Sequence, residues 1–208
     1  MKIKLGAHVW AAIIAAVALA GCAGTAPDHF YRLADAGLGT GAASSNSTPT
    51  STPTRQMPTV SVTAVSVPDL VDRPQIVTLG PGSRVQLSEQ HRWAEPLKLA
   101  IGRLVADRIA AGLGSALVTA YPADPGVEAA YRVSLSVQRF DSELGTAASS
   151  TVLWTVRRTA DGQQRAGRTV LNQRPLDASF DAIVQAHAQA LGRIGDEVAQ
   201  VILVLQGP

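Results

Sequence analysis

Alternating apolar and polar positions predict β-strands along most of the chain after residue 58. The clearest alternation begins at Tyr131 and places an apolar side chain at every second position through Val137, so one face of that strand should be buried. The Asp161-Gly162 pair is a hairpin signal between two later strands. The predicted strands are 29–33, 59–67, 75–79, 84–89, 116–120, 131–140, 151–158 and 168–173.

Two helices are predicted, at 95–113 and 180–205, because apolar residues recur there at three- and four-residue spacing. Pro96 suits the first turn of the first helix. Asp177 or Ser179 can cap the second. The order of strands, helix, strands, helix predicts an α+β fold, with a mostly antiparallel sheet covered on one face by the two helices.

The N-terminus has the pattern of an export signal. Two lysines precede an apolar run at 9–20, and small residues follow. The run is shorter than the roughly 20 residues that a membrane-spanning helix needs. We therefore predict a signal peptide at 1–21, then an N-terminal region at 22–58 and a periplasmic domain at 59–208. Residues 36–58 are rich in Ser, Thr, Pro and Gly, which is typical of a flexible linker.

The end of the apolar run, Leu19-Ala20-Gly21-Cys22, resembles the lipobox of bacterial lipoproteins. The resemblance implies that Cys22 carries a covalent lipid, which anchors the chain in a membrane. An ordinary signal peptide with a chance cysteine is the alternative. No other cofactor is expected. By similarity to enterobacterial sorting rules, Ala23 permits export to the outer membrane, with the domain facing the periplasm.

Charge and composition argue against a nucleic-acid-binding protein and against a protein stabilised by disulfides or cysteine-bound zinc. The chain has 18 basic and 16 acidic residues, which would favour an anionic partner, but Lys2 and Lys4 leave with the signal peptide and no acidic residue does. The mature side-chain charge is then zero. Aromatic residues make up only 4%, which argues against a base-stacking surface, so no nucleic-acid partner is expected. The single cysteine excludes an internal disulfide and a cysteine-rich zinc site.

No assembled catalytic or metal-binding motif is present in the sequence. There is no His-Glu-x-x-His and no Gly-x-Ser-x-Gly. Two nearby carboxylates, Asp69 and Asp72, do not make a calcium loop. His187 falls on the apolar stripe of the second helix, and a packed, hydrogen-bonded histidine is the favoured interpretation. We therefore expect neither an enzyme nor a metal site.

Two segments have an unusual composition. In the first, Pro68 and Pro74 bracket Asp72 and Arg73 directly after a predicted strand. A rigid turn explains this pattern, since proline fixes its own φ and restricts the preceding residue. An interface is the alternative.

The second segment contains His91, Arg92, Trp93 and Glu95 at the entrance of the first helix. Trp93 there indicates a packing anchor with a hydrogen-bonded indole. The alternative is an interface hot spot, since Trp and Arg are enriched at such positions.

Together with the lipobox and the strand at 30–33, these two segments resemble the PqiC/YmbA-type family, the ABC-type transport auxiliary lipoproteins. The resemblance implies a non-catalytic subunit that docks an MCE-type (mammalian-cell-entry) conduit for phospholipid and maintains the envelope barrier. Its implied partners are an MCE-domain protein and inner-membrane transport components, with a homo-oligomer as one option for its assembly. A periplasmic lipid-binding shuttle and a structural envelope lipoprotein are the alternatives.

Overall fold

The computed structural model describes residues 27–34, 57–115, 117–120 and 128–207. The signal peptide at 1–21, Cys22 and nearly all of the predicted linker at 36–58 lie outside the described residues. The elements, in chain order, are β1 (His29–Tyr31), β2 (Val60–Ser66), β3 (Gln75–Gly80), β4 (Arg84–Trp93), α1 (Leu97–Leu113), β5 (Val118–Ala120), β6 (Tyr131–Glu143), β7 (Ala147–Arg158), β8 (Gln164–Gln173) and α2 (Phe180–Leu205).

The α+β class is confirmed, but the strands divide between two mixed sheets instead of forming one mostly antiparallel sheet. The larger sheet has the order β5-β2-β6-β7-β8, and the smaller has the order β1-β4-β3. Short turns give antiparallel pairs, as between β3 and β4, β6 and β7, and β7 and β8. β1 and β2 reach their neighbours through long connections, so β1 runs parallel to β4, and β2 runs parallel to both β5 and β6.

The helices pack on the larger sheet and on each other. α1 contacts β2 and β5, whereas α2 contacts β7 and β8. The two helices approach closely because glycines lie at the contact: a Cβ atom on Gly195 would come within 2.5 Å of the Cβ of Arg108. Ser179 caps α2, since its hydroxyl accepts a hydrogen bond of 3.1 Å from the amide of Ala182.

The buried face of β6 follows the predicted alternation. The apolar side chains from Tyr131 through Val137 are each no more than 5% exposed. The pairing register with β7 shifts between Val137 and Arg139, and Phe140 and Ser142 beyond that shift are also buried. This irregularity directs a polar side chain, that of Ser142, into the core beneath α2.

The small sheet joins the N-terminal segment to the rest of the domain. β1 pairs with the end of β4, and the amide of Ala94 donates a 2.8 Å hydrogen bond to the carbonyl of Tyr31. Leu33, just after β1, is only 1% exposed and belongs to the main hydrophobic core. The segment before the predicted linker is therefore packed on the domain predicted at 59–208.

Candidate functional site

The two unusual segments of the sequence meet at one cleft. β3 and β4 form a hairpin whose register places Gln75 opposite Arg92, and the amide of Trp93 donates a 2.7 Å hydrogen bond to the carbonyl of Pro74. This pairing extends β4 to Trp93, four residues beyond its predicted end. The cleft has a volume of about 410 Å³, and it is lined by Asp72, Arg73, Pro74, Trp93, Glu95, Pro96, Leu97 and Lys98.

The floor of the cleft is part of the protein core. Trp93 is 6% exposed and Leu97 is 1% exposed. The Trp93 ring packs edge-on against Phe140, with 6.3 Å between ring centroids and an interplanar angle of 65°. Trp93 thus has the burial of a packing anchor. α1 begins at Leu97. Pro96, which was expected in the first turn of the helix, is instead the residue that precedes it.

Most charges on the rim of the cleft are paired. The Lys98 ammonium lies 3.1 Å from a carboxylate oxygen of Asp72. Glu95 accepts two hydrogen bonds of 2.5 Å from the guanidinium of Arg103. The hydrogen bond from Arg103 lowers the pKa of Glu95, and the same bond raises the pKa of Arg103. Both pairs fix the orientation of side chains that border the cleft.

Arg73 differs from its neighbours on the rim. Its Nε atom is buried, and no hydrogen-bond partner for it exists among the residues that the structure describes. Pro68 lies outside the cleft: its carbonyl accepts hydrogen bonds from the amides of Val71, at 3.0 Å, and Asp72, at 3.2 Å. This turn is the rigid local structure expected from the prolines, and it presents Asp72 and Arg73 at the rim.

His91 and Arg92 belong to the motif but do not line the cleft. The His91 ring stacks between Phe180, at 3.8 Å, and His29, at 5.1 Å. Its Nδ1 atom lies 2.7 Å from the Tyr31 hydroxyl. Burial, and then the neighbouring His29, lower the pKa of His91, so the ring stays neutral and can accept this hydrogen bond. His91 therefore joins β1 to β4 and α2.

Arg92 makes local contacts on β4. Its Nε atom donates a 2.8 Å hydrogen bond to the carbonyl of Glu89, and its guanidinium lies 3.8 Å from the Glu89 carboxylate. Lys98 and Arg103, which pair with two of the predicted residues, were not among the residues predicted for the site. The signal for Lys98 is that it is the only lysine after the predicted signal peptide.

His187 is a packed core histidine, as the sequence predicted. It is fully buried, lies 2.9 Å from the Ser142 hydroxyl and 3.4 Å from the Ser150 hydroxyl, and stacks on Phe140 at 3.9 Å. Burial lowers the pKa of His187 to about 3, because the interior disfavours the charged ring. Its two ring nitrogens are occupied by serine hydroxyls.

The described residues contain neither a cluster of metal ligands nor a membrane-spanning helix. Within 27–34, 57–115, 117–120 and 128–207, no group of three or more His, Cys, Asp or Glu side chains is placed to hold a metal ion. Over those same ranges, neither helix is both long enough and apolar enough to span a bilayer.

Comparison with known proteins identifies the family. Residues 41–199 match the family model described as the ABC-type transport auxiliary lipoprotein component. The chain belongs to this family. The match covers both motif segments, strands β2 to β8, helix α1 and most of helix α2. The family is one of auxiliary transport components and of lipoproteins, which fits a domain held at a membrane by a lipid.

Solved structures share the fold. The crystal structure of an uncharacterized protein aligns with a TM-score of 0.64 at 16% identity, over 85% of this chain and 99% of the other. Protein XCC0632 from Xanthomonas campestris, of the DUF330 family, aligns with a TM-score of 0.53 at 20% identity, over 74% of this chain and 90% of the other. No curated protein matches the sequence. At these identities, the structural likeness concerns the fold alone.

Proposed function

We propose that this chain is an outer-membrane lipoprotein that docks the distal end of an MCE-type conduit for phospholipid and thereby supports the integrity of the envelope. It acts by binding and positioning, without catalysis. The membership of an auxiliary transport family supports this proposal. The lipobox sequence ending at Cys22 supports the lipid anchor, and Ala23 supports sorting to the outer membrane.

The observation that carries the proposal is the cleft between the two motif segments. Its rigid walls contain Pro74 and Pro96, and its floor is the buried Trp93. A preformed concave surface loses little conformational entropy when a partner binds, which suits a docking subunit. Because Glu95 is paired with Arg103 and Asp72 with Lys98, the rim residues serve recognition better than proton transfer.

The test uses the full-length lipidated chain, reconstituted in nanodiscs and mixed with the purified MCE-domain protein of the same bacterium. We expect saturable binding at micromolar concentration or tighter, measured by biolayer interferometry. A different lipoprotein of the same outer membrane, reconstituted in the same nanodiscs, serves as the control. Equal binding of the MCE-domain protein to both lipoproteins, or to neither, would contradict the docking function.

The anchor is tested separately. We expect the wild-type chain to fractionate with the outer membrane on a sucrose gradient and the Cys22→Ala variant to be lost from it. Wild-type protein that fractionates with the inner membrane would contradict the proposed location but not the docking.

A second cleft supports the alternative function, a periplasmic lipid-binding shuttle. This cleft, of about 740 Å³, lies where β2 and β6 begin and α2 ends, and Met57, Leu117 and Leu203 contribute apolar side chains to it. Native mass spectrometry of the chain released from detergent distinguishes the two functions. A stoichiometric phospholipid on the protein supports the shuttle, whereas a lipid-free protein that still binds the MCE-domain partner supports docking.

A further inference from the structure

Of the four charged side chains that line the cleft, three form ion pairs within the described part of the chain. Asp72 is paired with Lys98, and Glu95 with Arg103, which leaves Arg73. Among the residues that the structure describes, none accepts a hydrogen bond from the buried Nε atom of Arg73. A guanidinium N–H that is buried without an acceptor destabilises the protein that contains it, so an acceptor supplied by a binding partner recovers that free energy.

The rest of the cleft is mostly apolar. Pro74 and Pro96 border it, and the faces of Trp93 and Leu97 form its floor. Binding sites of this kind combine an apolar surface with a few placed polar groups that fix the orientation of the occupant. Here the polar group is Arg73, which lies beside the apolar surface.

From these two observations we propose that the cleft binds a segment of the partner protein that inserts an apolar side chain against Trp93 and places a carboxylate on Arg73. This inference rests on the proposed docking function and names the chemistry by which the MCE-domain partner is recognised. The guanidinium fork matches the two oxygens of a carboxylate, which a lysine ammonium does not.

A protein carboxylate suits the cleft better than a lipid phosphate. The phosphodiester of a lipid carries the same charge as a carboxylate, so the size of the cleft decides between the two. The volume of about 410 Å³ lies near the lower end of the range of ~300–1,000 Å³ for ligand sites. It holds a short peptide segment more readily than the two acyl chains of a phospholipid.

The test compares Arg73→Gln with Arg92→Gln in the nanodisc binding assay with the purified MCE-domain protein. Arg92 is a matched control, because it is an arginine of the neighbouring motif segment that does not line the cleft and is already paired with Glu89. We expect Arg73→Gln to weaken binding at least tenfold and Arg92→Gln to weaken it less than threefold. The affinity of Arg73→Lys should lie between those of wild type and Arg73→Gln, since lysine keeps the positive charge but lacks the planar guanidinium that binds both oxygens of a carboxylate.

The carboxylate is located by charge reversal. The Arg73→Glu variant is combined with single Asp→Lys and Glu→Lys changes in the MCE-domain protein, and one such pair should recover binding by at least tenfold relative to Arg73→Glu with the unchanged partner. The melting temperature of each Arg73 variant should stay within a few degrees of wild type, which separates lost recognition from lost folding.

The outcomes that overturn the inference differ from those that overturn the docking function. If the MCE-domain protein binds wild type and Arg73→Gln with affinities within threefold, Arg73 is not the recognition residue, and the docking function stands. If Arg73→Gln instead loses binding to phosphatidylglycerol vesicles with its affinity for the MCE-domain protein unchanged, the cleft recognises a lipid headgroup. If wild type binds no MCE-domain protein, both the inference about Arg73 and the docking function are wrong.

Discussion

Replacement of Trp93 by alanine tests whether the cleft floor is core or contact surface. The side chain is 6% exposed, and a buried aromatic removes about 150–250 Å² from water. At about 25 cal/mol per Å², that area corresponds to roughly 4–6 kcal/mol as an upper value, and Trp→Ala substitutions in cores cost about 3–5 kcal/mol. For a domain of this size, each kcal/mol lowers the melting temperature by about 2–4 °C. We therefore expect a fall of about 6–20 °C.

The assay is thermal unfolding of the full-length chain followed by circular dichroism, with Arg73→Gln as the control variant. Arg73 has no hydrogen bond at Nε within the described part of the chain, so its replacement should change the melting temperature by only a few degrees. A Trp93→Ala protein that melts within about 2 °C of wild type would refute the reasoning, whether or not it binds the MCE-domain protein, because it would show that Trp93 contributes little to the core.

Three further changes test the packing and capping of the domain outside the cleft. His187 has its pKa lowered to about 3 by burial, so its contribution to stability is fully present above the unfolded value of about 6.5 and is lost as pH falls from there towards 3. His187→Gln should reduce the slope of unfolding free energy between pH 6 and 4 by about 1.4 kcal/mol per pH unit in urea titrations, and an unchanged slope would contradict this. A Cβ atom at Gly167 would lie 2.2 Å from the Trp154 ring, so Gly167→Ala should cost about 1–3 kcal/mol, and a neutral result by urea unfolding would argue against that contact. Ser179→Ala removes the cap on the Ala182 amide and should cost about 1 kcal/mol, whereas Ser179→Asp should retain most of it.

The parts of the fold that the sequence predicted best are those with one buried face. β6 alternates because one side faces the helices, and α2 matches its predicted bounds because its apolar stripe and Ser179 cap mark it clearly. β8 was predicted four residues too short at its start. This edge strand is paired only with β7 and has no fully buried residue, and its half-buried positions begin only at Gly167, so the first residues of the strand carry no alternating pattern.

Long-range pairing explains what the sequence could not predict. The pattern of β1 indicates a strand, but nothing in it specifies that His29 lies beside His91 in a second sheet. The cleft is an intermediate case. The predicted hairpin at 75–89 brings the two motif segments to the same end of β3 and β4, but its regular register would place Pro74 opposite Gln90. The shift in register between Gln75 and Val77, which places Gln75 opposite Arg92, could not be predicted from the sequence. The pairing of Glu95 with Arg103 depends on side-chain orientation at the start of α1, which periodicity alone does not give.

If Cys22 carries the proposed lipid, the packing of β1 sets how far the domain can move from the membrane. With β1 docked through Leu33, the tether would then be the seven residues from Cys22 to Asp28, which reach at most about 25 Å when fully extended. The Ser/Thr/Pro-rich stretch then connects two docked strands and adds nothing to this reach. If β1 separated from β4, the tether would continue to Met57 and could extend to about 120 Å. The three-residue strand therefore determines whether the cleft stays near the bilayer surface or samples much of the space beyond it.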